Sequence, residues 1–209
     1  MYYLKKYCEE VHRVKNIWNP QSDWNGLYIG PKGTKAWYQN GELHRDDGPA
    51  VEDVNGDKAW YQNGELHRED GPAAEYANGD KEWCQNGELH REDGPAIEYA
   101  NGAKYWYQNG LLHREDGPAA EWANGTKMWL QNGKRHREDG PAREHTDGTK
   151  RWYLDGKNYT EEEWKEEMEF YPLRKRLDSK SQRFLDDLLN FDNEEEDLGF
   201  EIEDEDEGF

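Results

Sequence analysis

A histidine, an arginine and an aspartate recur together along this chain, and such side chains could bind a metal ion or transfer protons. Each histidine is followed directly by an arginine, and an aspartate stands three positions after the histidine. The histidines lie 23 residues apart, at His44, His67, His90, His113 and His136. Histidine beside a carboxylate suits both zinc binding and acid–base catalysis. A catalytic centre is one asymmetric cluster, whereas this group occurs in five successive units, which is typical of a structural ladder. We therefore predict no catalytic residue, cofactor or metal site here, with metal or anion binding as the alternative.

The elements that carry these residues follow the same period. Tryptophan recurs every 23 residues at Trp37, Trp60, Trp83, Trp106, Trp129 and Trp152. Each unit also contains two Asn-Gly or Asp-Gly pairs, and we expect both to form type I′ turns, because Asn-Gly supplies the two positive-φ positions that such hairpin turns need. A fixed period of this length indicates units that bury an apolar face only by stacking. The prediction is an all-β repeat array of stacked β-hairpins, forming an elongated, twisted sheet on the order of 50–80 Å long.

Strand and bend positions within a unit follow from local chemistry. Segment 57–62 alternates in polarity, so it predicts one strand with Lys58 and Trp60 on one face and Ala59 and Tyr61 on the other. The strand run that follows must bend at Gly71-Pro72, because proline cannot donate a ladder hydrogen bond. Lysine and glutamate columns at the same period predict cross-strand pairs. A lysine row that binds phosphates is the alternative.

Both ends of the chain lack the repeat. We predict an N-terminal helical cap at 1–20, repeats at 21–156 that begin with a shortened half-unit, a C-terminal helical cap at 157–191, and a disordered acidic tail at 192–209. In the C-terminal cap, one helix is expected at about 161–170, ending before Pro172, with Trp164, Met168 and Tyr171 facing inward. A second helix is expected at about 179–190.

Composition limits the classes of partner. The 209 residues carry a formal net charge of −20, and eleven acids with no base lie in 192–209. Because binding a nucleic-acid backbone needs a positive surface, we predict no direct nucleic-acid binding and expect a protein partner with a basic or aromatic-accepting surface. Two cysteines indicate a reducing, cytoplasmic setting, and the absence of an 18-residue apolar run predicts no membrane span.

The repeat resembles a known family. The order of Trp, Asn-Gly, His, Gly and a second Asn-Gly in 23 residues resembles the MORN repeat. The sequence motif typical of that repeat is matched by the segment Asn132-Gly133-Lys134-Arg135-His136. The spacing between the two turns differs, and Asp-Gly-Pro-Ala replaces the family's Gly-x-Gly. The chain is therefore similar to a MORN-like variant and to Asp-Gly-Pro-Ala repeat proteins of bacteriophage and large DNA viruses. The resemblance implies hairpin stacks used as scaffolds, for dimerisation and for protein or membrane-surface contact, so a homo-oligomer stays open. It implies no conserved chemistry.

Specificity is expected where the units differ. Two columns become aromatic or apolar in the later units, and such patches are typical of interfaces; packing against the C-terminal helices is the alternative. The acidic tail ends in phenylalanine and resembles the C-terminal tips of single-stranded-DNA-binding proteins, although a solubilising role is the simpler explanation. The predicted partner-binding residues are Tyr76, Tyr99, Trp122, Tyr105, Met128, Glu205, Asp206, Glu207 and Phe209.

These observations favour a non-enzymatic protein-interaction module or scaffold that uses the variable columns and the acidic C-terminal region. The alternative is an acidic mimic of nucleic acid, a phage-type inhibitor of a host defence or nucleic-acid-binding protein. An enzyme or metal protein that uses the His and Asp ladders is the third hypothesis.

Overall fold

A computed structural model of the chain describes residues 23–177 and 181–183. The chain divides into two compact units, Met1–Thr160 and Glu161–Phe209. The described part of the first unit is built from β-strands, as predicted, while the predicted N-terminal helix, most of the predicted helix at 179–190 and the acidic tail lie outside the described residues. The strands are β1 (Gly26–Ile29), β2 (Lys35–Gln39), β3 (Glu42–Leu43), β4 (Val51–Glu52), β5 (Lys58–Ala59), β6 (Tyr61–Gln62), β7 (Glu65–Leu66), β8 (Ala74–Glu75), β9 (Lys81–Glu82), β10 (Cys84–Gln85), β11 (Glu88–Leu89), β12 (Ile97–Glu98), β13 (Lys104–Tyr105), β14 (Tyr107–Gln108), β15 (Leu111–Leu112), β16 (Ala120–Glu121), β17 (Lys127–Met128), β18 (Leu130–Gln131), β19 (Lys134–Arg135), β20 (Arg143–Glu144), β21 (Lys150–Leu154) and β22 (Lys157–Tyr159).

One long antiparallel sheet runs through every unit. Within the described residues it has 14 strands in the order β1-β2-β4-β5-β8-β9-β12-β13-β16-β17-β20-β21-β22, and β3 also pairs with β2. Twelve strand-to-strand steps of roughly 4.8 Å give a length of about 58 Å. Four two-stranded sheets, β6-β7, β10-β11, β14-β15 and β18-β19, form a second line that we call the hairpin row. The repeated β-hairpin architecture is thus confirmed.

The prediction of a single strand over 57–62 is wrong in one respect, because the strand changes sheets at Trp60. The Trp60 N–H donates to the Ala73 carbonyl at 2.8 Å, and the Trp60 carbonyl accepts from the His67 N–H at 3.0 Å. The residues before Trp60 therefore belong to the long sheet and those after it to the hairpin row. Neighbouring hairpins are joined by two backbone bonds, such as Gly87 N–H to the Leu66 carbonyl at 2.9 Å and Arg68 N–H to the Cys84 carbonyl at 3.2 Å.

The two Asn-Gly turns of a unit differ, which corrects the expectation that both are type I′. Asn40 and Gly41 have φ of 51° and 76°, so this turn has the two positive-φ residues of type I′. In the second turn only Gly56 is positive, with φ of 98°. There the Gly56 N–H bonds the Asp53 carbonyl at 3.0 Å, which closes a type I turn with the glycine in the left-handed position.

The core lies between the long sheet and the hairpin row, on the face that carries Ala59 and Tyr61, which we call the inner face. Both side chains are buried, and the predicted division of faces is confirmed. The alanine after each proline is fully buried, and its carbonyl accepts the tryptophan N–H of the same unit at 2.8 Å. These residues are Ala50, Ala73, Ala96, Ala119 and Ala142.

The described part of the second unit contains helix α1 (Glu161–Arg174), which has three glutamates in its first turn. Acids there are favoured by the helix dipole. The predicted stop before Pro172 is wrong, since the helix continues for two residues beyond it. Proline removes only its own N–H, and the Lys175 N–H still bonds the Tyr171 carbonyl at 3.0 Å. Tyr171 is buried, and Trp164 and Met168 are half-buried, as expected for an inward stripe.

Candidate functional site

The outer face of the long sheet, opposite the inner face, carries strictly alternating charges. Lysine and glutamate face each other in ten consecutive cross-strand pairs, from Lys35–Glu52 to Glu144–Lys150. The predicted pairing is therefore confirmed in register. From the second unit onward the closer contacts go to arginine: Arg137 Nη1 lies 2.9 Å from Glu144 Oε1. The glutamates thus support the frame of the repeat.

Each arginine of the recurring triplet lies between a tryptophan and a glycine. The Arg91 guanidinium carbon lies 4.0 Å from the centroid of the Trp83 ring, a cation–π distance. On its other side a Cβ on Gly94 would lie 2.9 Å from the same carbon. Arg91 also donates to Asp93 Oδ1 at 2.8 Å and to the Pro95 carbonyl at 3.2 Å. The arginine, aspartate, glycine and tryptophan of every full unit therefore form one structural assembly.

The histidines join successive units. His90 Nδ1 accepts the backbone N–H of Asn109, in the next unit's type I′ turn, at 3.2 Å. Nδ1 of the same ring also lies 3.0 Å from Asn109 Oδ1, so the histidine contacts both the backbone and the side chain of that residue. Equivalent bonds connect His44 to Asn63, His67 to Asn86, His113 to Asn132 and His136 to Asp155. Each histidine thus links its own unit to the next unit, and we call these hydrogen bonds the histidine clamps.

The described residues offer two further findings that bear on function classes. Within 23–177 and 181–183, no three His, Cys, Asp or Glu side chains lie close enough together to hold a metal ion. In the same part of the chain, no helix combines the length and the apolar character that crossing a bilayer requires.

The inner face of the long sheet is the place where the units differ most. One side chain per strand forms a continuous row of direct cross-strand neighbours, which we call the inner row. In spatial order it contains Ala36, Val51, Ala59, Ala74, Glu82, Ile97, Tyr105, Ala120, Met128, Arg143 and Arg151. The side chains of the inner row are small and apolar in the early units and acidic at Glu82. The side chains that follow are mostly large and apolar, and the last two are basic.

A pocket of about 890 Å³ lies over the later part of this row. Its apolar wall consists of Tyr99, Tyr105, Leu112, Trp122 and Met128. The Tyr105 ring stands edge to face with Tyr99 at 5.8 Å and with Trp122 at 5.9 Å between centroids. Rings that hold one another in this way are ordered before a ligand arrives. A volume of this size with predominantly apolar walls and a few polar groups is typical of binding sites.

The pocket also has polar groups at its two ends. Asp80 is 6% exposed and accepts the Ala100 N–H at 2.8 Å. At the other end lie Arg135, whose Nη1 donates to the Tyr153 hydroxyl at 3.1 Å, and Arg143. The pocket thus has an acidic end and a basic end, separated by the aromatic wall.

Glu82 belongs to the inner row just before the pocket and is 5% exposed. Burial raises the pKa of its carboxyl to about 7, Asp80 adds to the rise, and the Tyr76 hydroxyl opposes it. Burial likewise raises the pKa of the Tyr99 and Tyr105 hydroxyls. The inner face thus contains one carboxyl group with a pKa near neutrality, that of Glu82, while the two tyrosine hydroxyls stay protonated.

The structure brings together four of the predicted partner-binding residues. Tyr99, Tyr105, Trp122 and Met128 share the pocket, whereas Tyr76 lies one unit earlier beside Glu82. The predicted tail residues Glu205, Asp206, Glu207 and Phe209 lie outside the described residues. Sequence reasoning missed Arg143 and Arg135. Arg143 could have been found, because its column is otherwise apolar, with Val51, Ala74, Ile97 and Ala120 in the earlier units.

Comparisons with known proteins assign no family to this chain. No protein-family model matches it, and no curated protein is significantly similar to it. The hairpin-repeat architecture is established by the sheet itself.

Proposed function

We propose that this protein is a non-enzymatic interaction module that binds a protein partner in the inner-face pocket. The observation that supports this most directly is the clustering of irregular residues. Tyr105 and Met128 occupy the position that is alanine in the first two units, Trp122 occupies the position that is Asp53 in the first unit, and all three line one pocket. A scaffold alone needs no such difference between its units.

An extended peptide is the partner element that suits the pocket. From β12 to β20 there are four strand-to-strand steps, which correspond to about 19 Å. An extended chain of about six residues covers that length at roughly 3.3 Å per residue. The pocket presents the half-buried rings of Tyr99 and Trp122, and aromatic side chains are among the residues that dominate protein–protein affinity.

Assignment to a MORN-like repeat variant and a cytoplasmic location belong to the same proposal. The 23-residue period and the Asn-Gly turns support the first, and the low cysteine content supports the second. Mimicry of nucleic acid is the second candidate, which the eleven acids of 192–209 favour.

The test is capture of partners from a cell lysate with the full-length protein, followed by titration of the purified captured protein. Trp122→Asp places in the pocket the residue that the first unit carries as Asp53, so the fold is expected to persist. We expect it to weaken the Kd at least tenfold, since a central aromatic contributes on the order of 2 kcal/mol. Leu111→Ala is the matched control, because Leu111 is 49% exposed and does not line the pocket.

Equal affinity for Trp122→Asp and wild-type protein would contradict the proposal. A chain lacking 194–209 decides between the two candidates. Pocket binding predicts that this chain captures the same partner, whereas mimicry centred on the tail predicts that capture is lost.

A further inference from the structure

Arg143 stands where the repeat provides an apolar side chain. The equivalent residues in earlier units are Val51, Ala74, Ile97 and Ala120, all of them buried. The Nε atom of Arg143 is buried and has no hydrogen-bond partner. Among the described residues Arg143 also forms no ion pair, in contrast to the arginines of the recurring triplet. A buried donor without an acceptor destabilises the free protein.

The cross-strand neighbour Arg151 further destabilises the free protein at this position. Arg143 faces Arg151 directly in the pairing of β20 with β21. In every other directly opposed pair of charged residues in the described long sheet, lysine faces glutamate. Like charges in this position are destabilising. The sheet therefore concentrates positive charge at one place without a compensating acid among the described residues.

The residues around Arg143 define which ligand group could compensate its positive charge. Arg143 lines the pocket, pairs directly with Met128 across the strands, and its guanidinium carbon lies 5.9 Å from the centroid of the Trp122 ring. A ligand group here must bring negative charge and a hydrogen-bond acceptor. The same ligand must also bring an apolar or aromatic group that covers Trp122 and Met128.

We propose that this end of the pocket binds a carboxylate of a peptide, with Arg143 as the anchor and an adjacent apolar side chain of that peptide on Tyr105, Trp122 and Met128. This rests on the proposed function and specifies its ligand. The planar guanidinium group of Arg143 can pair with a carboxylate through two parallel hydrogen bonds donated by its Nη atoms, whereas Nε is buried. A phosphate is less suitable, because its larger charge calls for a second cation and Arg135 is already bonded to Tyr153.

The carboxylate could be a side chain or the C-terminus of the peptide, and three fluorescent probes separate these sources. The first is Gly-Ser-Ala-Leu-Phe with a free C-terminus, the second is its C-terminal amide, and the third is an amidated peptide with glutamate in place of serine. Anisotropy titrations use the full-length protein. If only the first probe binds, the group that contacts Arg143 is the C-terminal carboxylate of the peptide. If the third probe binds, that group is a side-chain carboxylate. A wild-type protein that binds none of them at about 1 mM, or that binds the amide equally well, overturns the proposal.

The decisive variant is Arg143→Ala, which installs the residue that Ala74 and Ala120 present at the same position. We expect at least tenfold weaker binding of the preferred probe, as is typical when a charged hydrogen-bond partner is lost, together with a higher Tm, because the buried donor and the like-charge pair are removed. Lys127→Ala is the charge-matched control on the outer face of the neighbouring strand. It should leave binding within about twofold, a difference too small to matter on the scale of one charged contact.

Two outcomes would overturn the anchor role. Unchanged binding by Arg143→Ala is one, and a lower Tm is the other, since it would show that Arg143 stabilises the fold. If Trp122→Asp abolishes partner binding while Arg143→Ala does not, the interaction module stands and the carboxylate anchor falls.

Discussion

Glu82 makes the stability of the array depend on pH, and Glu82→Gln should remove that dependence. Glu82 is nearly isosteric with glutamine, and its carboxyl is buried in the inner row where Ala59 and Tyr105 occupy the equivalent positions of neighbouring units. Burial is the main reason that its pKa rises from 4.5 to about 7. A buried neutral carboxyl costs much less than a buried carboxylate.

The direction of this pKa shift determines whether the protein gains or loses stability as the pH rises. A carboxyl with a raised pKa in the folded state contributes stability that is fully present below 4.5 and is lost as the pH rises through about 7. Over that window the free energy of unfolding should fall by about 3 kcal/mol. The arginine hydrogen bond lowers the pKa of Asp47, Asp70, Asp93 and Asp116, so their contribution is lost only at lower pH.

Urea unfolding of wild-type protein and Glu82→Gln at pH 5 and pH 8 measures the effect. Because all other titratable groups are the same in the two proteins, the difference between them isolates Glu82. We expect the variant to be more stable than wild type by about 3 kcal/mol at pH 8 and by much less at pH 5. Glu88→Gln, at an exposed position, is the control. A difference between wild type and Glu82→Gln that does not change with pH would refute the reasoning.

Two further substitutions test the repeated assemblies. Gly94→Ala should destabilise the protein by about 1–3 kcal/mol, because the new methyl group would lie 2.9 Å from the Arg91 guanidinium carbon; urea unfolding measures this, and an equal loss in the Arg91→Ala background would contradict it. His90→Ala should cost about 1–2 kcal/mol by leaving the Asn109 N–H without its acceptor; a melting curve identical to that of wild type would show that the clamp contributes nothing.

The periodic part of the fold could be predicted because each unit repeats the same local signals. Lys58, Trp60, Ala59 and Tyr61 alternate between faces, and stacking identical units fixes which strands become neighbours. The cross-strand register of lysine and glutamate follows directly from this stacking of identical units. The change of sheets at Trp60 could not be predicted, because alternation continues through the tryptophan and its backbone bonds depend on where the Gly-Pro bend returns the chain.

Turn type and partner choice also depend on details that the pattern does not contain. Asn40 and Asn55 both precede glycine, yet only Asn40 adopts positive φ. The Asn55 side chain instead accepts the Asp57 N–H at 3.1 Å, which favours the other turn. Glu98 was expected to pair with lysine, but Arg91 reaches it at 3.2 Å from its position on the Trp83 ring.

The candidate site illustrates the same division between regular and irregular positions. Four of its residues were found because they are aromatic or apolar where other units are not. Arg143 and Glu82 carry opposite charges on one otherwise apolar row, five strand-to-strand steps apart, or about 24 Å. Each is destabilising at its own position, and the regular units on either side supply the ladder bonds that keep the strands in place. An array of nearly identical units can therefore carry unfavourable charges on one face without losing its register, and those charges are the positions at which a ligand gains the most by binding.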